Sequence, residues 1–272
     1  MSTRDEGAGT ETENVETAAE NPAENSGAGL RPGRARTAPK WWVIARREWR
    51  LAFGLPLAYI LLGLWMLVGG VFYVAILQST QSTDLGPLLE NLLVLVIFLA
   101  PLLSMRLLAE ERRGGTEELI LTSPISPSQW VVGKYLGILS VWTVFVVVAL
   151  LFPLVTGRLG TVDWGVTGAS YLGMWLFGAA CLAIGLFASA LTGNQLLAAM
   201  IGFAIVLLLY ATSFFSTTGG TLGSLLNYIS LSGQFTNFSL GLIGVGPLIY
   251  YVSLAIGFLF LAVRAVDMRR WT

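Results

Sequence analysis

MRLLAEERRGGTEELILTSPISPSQWVVGK, residues 105–134, is the one sizeable charged island inside an otherwise apolar chain. Apolar runs long enough to cross a bilayer flank it, so it reads as an extramembrane loop tethered at both ends. Its grammar is helix, break, helix, break, helix. Arg106 to Arg113 continues the preceding span as a charged helical end, in which Glu110 and Glu111 can reach basic neighbours at helical spacing. Gly114 and Gly115 stop it, because glycine readily takes the left-handed cap conformation. Thr116 is placed to N-cap a second, very short helix, with Glu117 and Glu118 beside the positive end of its dipole. Ser123-Pro124 ends that helix. Ser126-Pro127-Ser128-Gln129 then reads as a capping box with proline at the first helical position, restarting a helix that enters the next span. From spacing alone two readings stand: a solvated connector laced with salt bridges, or a short transverse helix on which an outside machine can push.

Composition sets the class. Of 272 residues, 55% are hydrophobic and only 12% charged, with mean hydropathy +0.72, too apolar for one soluble core. The expected fold is an all-α polytopic membrane protein. One cysteine and no histidine remove disulfide frameworks and nearly every transition-metal site. The zero net charge conceals segregation, since Asp5, Glu6, Glu11, Glu13, Glu16, Glu20 and Glu24 all lie near the amino end. Residues 1–39 are polar with almost nothing to bury, so a disordered acidic tail is expected there, ahead of a transmembrane domain at 40–272. The acidic start is unlike a signal peptide.

From Trp41 to Phe53, Trp42, Ala45, Trp49, Ala52 and Phe53 share one arc of a helical wheel, and Arg46, Arg47 and Arg50 share the next. This segment is either an interfacial helix, with aromatics at headgroup depth and arginines toward phosphate, or the basic flank of the first span. Six spans are expected at about residues 56–77, 90–104, 135–156, 170–191, 196–213 and 246–263, with Met105 to Ala109 completing the short second one. With the amino terminus in the cytoplasm, fifteen of the sixteen basic residues fall inside and only Arg158 outside, so both termini are assigned to the cytoplasm. Thr192 to Gln195 is a tight cytoplasmic turn, and the glycines of spans four and five, with Ala198 and Gly202, permit close packing at or near a dimer seam. Between spans five and six, the apolar pieces 222–229 and 235–243 are too short to cross and fit half-inserted or interfacial helices.

The island resembles the loop between the second and third spans of ABC-2 type transport permeases, especially the gliding-motility and nitrous-oxide-reductase-accessory branch. The matching residues are Met105-Arg106-Leu107, Ala109-Glu110-Glu111-Arg112, Gly115-Thr116-Glu117-Glu118-Leu119, Thr122-Ser123-Pro124 and Gly133-Lys134-Tyr135. The likeness implies a cytoplasmic coupling helix that docks on a separate ATPase subunit through Glu110, Glu111, Thr116, Glu117, Glu118 and Leu119. It also implies that Trp42, Arg46, Arg47, Trp49 and Arg50 belong to an elbow helix, and that re-entrant helices before the last span close the outer end of the pathway.

On that likeness the chain is a permease subunit, expected to export substrate by alternating access and to pair with a second permease chain in the inner membrane of a prokaryote. ATP and magnesium are expected on the partner subunit, with no cofactor on this chain and no nucleic-acid partner. No Walker A sequence is present, and Leu231-Ser232-Gly233-Gln234 lacks a glycine of the ATPase signature and falls on the outer side by the charge count. The alternative is an ion-coupled transporter or channel, in which Ser140, Thr143, Ser170, Ser189 and Ser213 would hold sodium; as interhelical bonds those hydroxyls have a simpler use. An intramembrane hydrolase has neither the histidine nor the paired aspartates it would need.

Overall fold

A computed structural model describes residues 40–54, 56–80, 83–115, 126–215 and 220–269. Among these residues there is no strand, and the helices are α1 (Lys40–Gly54), α2 (Pro56–Thr80), α3 (Gly86–Ser104), α4 (Arg106–Arg113), α5 (Pro127–Ala149), α6 (Leu151–Leu159), α7 (Trp164–Leu191), α8 (Gln195–Phe215), α9 (Gly220–Ile229), α10 (Leu231–Ser239) and α11 (Val245–Arg269). Six runs are long and apolar enough to cross a membrane: Pro56–Thr80, Gly86–Arg113, Pro127–Leu159, Trp164–Leu191, Gln195–Phe214 and Val245–Met268. The chain is an all-α polytopic membrane protein. The expected acidic tail, and the transverse helix with its Thr116, Glu117, Glu118 and Leu119, lie outside the described residues.

Local chemistry sets where the spans begin. Ser126, with extended backbone, accepts the Gln129 N–H at 3.3 Å and Pro127 opens α5, as the sequence pattern predicts. The fourth span starts earlier than the expected Ser170, because the Asp163 carboxylate accepts the N–H groups of Gly165 and Val166 at 2.9 and 3.1 Å and caps α7 at Trp164. The Asn194 side chain caps α8 in the same way, from the predicted tight turn. The third span is 33 residues long, about 50 Å of helix against a hydrocarbon core of about 30 Å, so its ends must project beyond the lipid.

The fourth span is the axis. In its most apolar window 83% of residues are buried, against 17% for the first and last spans, and the second, third, fifth and last spans pack around it. Its run Leu176 to Ala190, LFGAACLAIGLFASA, is rich in small residues that let neighbours come close. Ala198 and Gly202 are spent on this packing: a Cβ at Gly202 would lie 3.4 Å from Gly185 Cα and 3.6 Å from Pro101, and Ala198 is buried.

Between spans the polar ties are largely aromatic. Trp65 donates to the Phe145 carbonyl (3.2 Å), Trp142 to Trp175 O (3.2 Å), Tyr135 to Ala179 O (3.1 Å) and Tyr171 to Ala149 O (2.7 Å). Each brings a large apolar ring and one donor that would otherwise be stranded in lipid. Of the five hydroxyls singled out from sequence, Ser189 and Ser170 donate across helices and Thr143 accepts from Trp175 Nε1. Ser140 and Ser213 instead donate to carbonyls of their own helices, Gly137 O and Tyr210 O.

The segment before the last span folds into a hairpin that enters the bundle. Ser230, fully buried, marks its turn: the Tyr250 hydroxyl donates to Ile229 O and the Tyr251 hydroxyl to Leu231 O at 2.7 Å. Tyr251 lies six residues, about 9 Å, into its helix, so the turn sits below the bundle's end. From there α10 runs back along the fourth span, where Ser170 donates to Phe238 O at 3.0 Å. Its bounds, 231–239, correct the expected 235–243, because Ser230 supplies an N-cap to Gly233 N. Gly233, part of the false ATPase signature, has a steric role: a Cβ there would lie 2.7 Å from the Asn227 carbonyl oxygen.

Gly233→Ala should therefore destabilise the detergent-solubilised protein by about 1–3 kcal/mol through overpacking, read as a lowered midpoint of thermal unfolding. Gly70→Ala, whose Cβ would meet nothing within 4 Å, should leave the midpoint unchanged or slightly raised.

Candidate functional site

The end of the bundle bearing α1, α4 and the start of α5 collects most of the described charge. Here α1 lies against the third span through Gly133-Lys134-Tyr135-Leu136-Gly137. A Cβ at Gly133 would stand 2.9 Å from the Trp41 carbonyl oxygen, and one at Gly137 2.5 Å from Glu48 Cβ, so only glycine admits the helix this closely. The buried face of α1 carries Ala45 and Ala52, with Ile44 and Glu48 beside them. The single wheel arc expected from sequence is thus divided: its alanines turn inward, while Trp42 and Trp49 stay exposed alongside Arg46, Arg47 and Arg50.

Between these helices an ion cluster is enclosed. Lys134, only 2% exposed, places Nζ 2.8 Å from Glu48 Oε1 on α1 and 3.0 Å from Glu111 Oε1 on α4. Its ammonium also lies 5.8 Å from the centre of the Trp130 ring. One cation therefore joins three elements that are far apart in sequence. Removing it would take from two largely buried carboxylates the ammonium they share, a class of change that costs up to about 3–5 kcal/mol. One sequence expectation is corrected: Lys134 belongs to the interior of α5 and not to the loop. Glu111 reaches across to it from α4.

The arm α4 that bears Glu111 is a separate helix because the second span is interrupted at Met105. Pro101, one turn earlier, has no N–H to give the ladder. The Ser189 hydroxyl of the fourth span enters at the break, accepting the N–H groups of Leu108 and Ala109, both at 3.0 Å, and donating to Met105 O at 2.8 Å. It acts as an N-cap supplied by another helix. At the far end Arg112 Nη1 donates to Leu191 O at 3.2 Å, and Gly115, with φ of 68°, takes the left-handed conformation predicted for the stop. Glu110 is exposed, and it borders a cleft of about 350 Å³ with Arg47, Glu48, Arg106, Glu111 and Lys134.

Of the residues expected to meet a partner, Glu110 and Glu111 share this corner, and Arg47 joins them from the helix at 40–54. Glu48, Lys134 and Ser189 are the members that sequence reasoning missed. Glu48 is the one acid in a run with three arginines, and that isolation was the available signal. Ser189→Ala should cost about 1–3 kcal/mol by stranding two buried N–H donors, measured as reduced thermal stability together with faster hydrogen exchange at Leu108 and Ala109.

Residues 42–253 match the family described as ABC-2 family transporter protein. No curated protein matches the chain. The family match takes in the α1 contact, the Lys134 cluster, all of the first five spans and the buried hairpin. The chain belongs to the ABC-2 family of transporter proteins and is the membrane-spanning permease subunit of an ABC transporter.

Proposed function

We propose that this permease is driven by a separate ATPase subunit seated on residues 116–125, and that it exports its substrate by alternating access at the interface with a second permease chain. The observation that carries this reading is the arm α4. It directly precedes residues 116–125 in the chain and is tied along its length to the third and fourth spans through Glu111, Ser189 and Arg112. A push on residues beyond Gly115 would therefore be felt by the spans and not lost in a slack loop. Thr116, Glu117, Glu118 and Leu119 would form the contact, charge giving orientation and leucine an apolar grip. Magnesium and ATP would sit on the partner.

The same reading puts both termini in the cytoplasm of a prokaryote, with the exposed Trp42, Trp49, Arg46, Arg47 and Arg50 of the elbow helix at the headgroups of the inner leaflet. The resemblance of the charged island favours the gliding-motility and nitrous-oxide-reductase-accessory branch. Apolar spans suit an amphipathic cargo escorted along the interface, and equally mechanical work on a partner protein. An ion-driven carrier has less support, because Ser140, Thr143, Ser170, Ser189 and Ser213 are all engaged with helix groups.

Affinity purification from the native host in mild detergent should recover an ABC ATPase. Reversing Glu117 and Glu118 to lysine should weaken its capture at least about tenfold, equivalent to about 1.4 kcal/mol, with a matching loss of ATP hydrolysis in the complex. Recovery of no ATPase, or labelling of Arg113→Cys only from outside the cell, would overturn the reading.

A further inference from the structure

We propose that Lys134 is a positioning residue that locks the elbow helix, the arm α4 and the root of the third span into one moving unit. This rests on the reading of residues 116–125 as the ATPase seat, and it names the residues inside this chain that carry the push inward.

Three observations lead there. First, the bridge is bivalent: a single ammonium at 2.8 and 3.0 Å from carboxylates on two other helices fixes both at once. An apolar seam can slide by a side chain's width at little cost, whereas a largely buried ion contact loses energy as it lengthens, which makes such pairs devices of register. Second, the bridge has no slack on the side of the third span. Lys134 lies between Gly133 and Gly137, where the backbones of α1 and α5 already touch, so a displacement of the arm must reach the elbow through a close-packed joint. Third, the arm is tied to the fourth span at both of its ends. Where the helical ladder loosens after Met105, the Ser189 hydroxyl takes the N–H groups of Leu108 and Ala109, and beyond them Arg112 donates to Leu191 O. The arm therefore follows its neighbours as well as the span from which it comes.

Lys134 also has a reason to be lysine. Its long flexible stem crosses from the third span to two partners, and its compact ammonium can serve both. The cluster carries two carboxylates and one ammonium, with Arg47 and Arg106 lining the same cleft, so positive charge stands close by on both α1 and α4.

The test uses the full chain in lipid nanodiscs, with nitroxide labels at Arg46→Cys on the elbow and Arg113→Cys on the arm, both exposed. The native Cys181 is fully buried and does not compete for label. Pulsed electron–electron distance measurement should give one narrow distribution for the otherwise unaltered chain. Lys134→Met should broaden it at least twofold, and Lys134→Arg should restore most of the narrowness. The combination Glu48→Gln, Glu111→Gln and Lys134→Met removes the unpaired charges, and so folds even where the single variant does not; it should remain broad. A wild-type width in that triple variant would overturn the proposal.

A second label pair, Arg113→Cys with Arg158→Cys at the opposite end of the third span, is read in the complex purified from the host with and without ATP. No ATP-dependent change there would sink the ATPase reading while leaving the width result, and with it the pin, intact. An ATP-dependent change with unaltered elbow-to-arm width in the triple variant would sink the pin alone.

Discussion

Burying one ammonium between two carboxylates, at the point where three helices converge, is the constraint on which the geometry of the basic end depends. Lys134 can be enclosed only because Glu48 and Glu111 are both within 3.0 Å of it. Glu48 can be that close only because Gly133 and Gly137 let the elbow helix settle on the third span. Glu111 is brought that close by an arm whose ladder is interrupted after Met105 and held there by Ser189 and Arg112. Each feature is costly alone: an unpaired buried charge, a helix crossing without side chains, an interrupted membrane helix. Together they satisfy one another.

The opposite end solves a related problem with neutral groups. A hairpin that turns inside the bundle exposes backbone carbonyls where lipid can offer them no partner. Tyr250 and Tyr251 of the last span supply donors to Ile229 and Leu231, and Ser230 and Gln234 close the turn onto its own backbone. Between the two ends the small residues of the fourth span give the second, third, fifth and last spans a common surface, while tryptophan and tyrosine donors fix the helices' rotation. The ends thus differ in kind: ionic at one, neutral and folded inward at the other. That polarity suits a machine driven from one side.

Much of this organisation is legible one residue at a time. Hydrophobic length announces the spans, Ser126-Pro127 and Gly115 announce their own capping, and the two apolar pieces before the last span are too short to be anything but partial insertions. The site was legible in part. Glu110, Glu111 and the elbow arginines stand out because charge is scarce in such a chain. Lys134 was counted as a loop charge, since a lysine just before a span looks the same in sequence whether it faces water or a carboxylate. Ser189 was one hydroxyl among several, and nothing in its neighbours distinguishes a serine that caps a foreign helix from one that bonds to its own.

What the sequence determined alone is therefore what depends on local chemistry and on the solvent: the helical class, the number of spans, the caps, and the concentration of positive charge at one end. These follow from how a backbone must satisfy itself in lipid, and that requirement is the same wherever the helices are placed. The tertiary structure decided which charges neutralise each other, which glycines are contacts, and that the second span's arm is bonded to the third and fourth. Those outcomes turn on separations of about 3 Å between residues 23 to 86 positions apart, and no periodicity along the chain encodes such a distance.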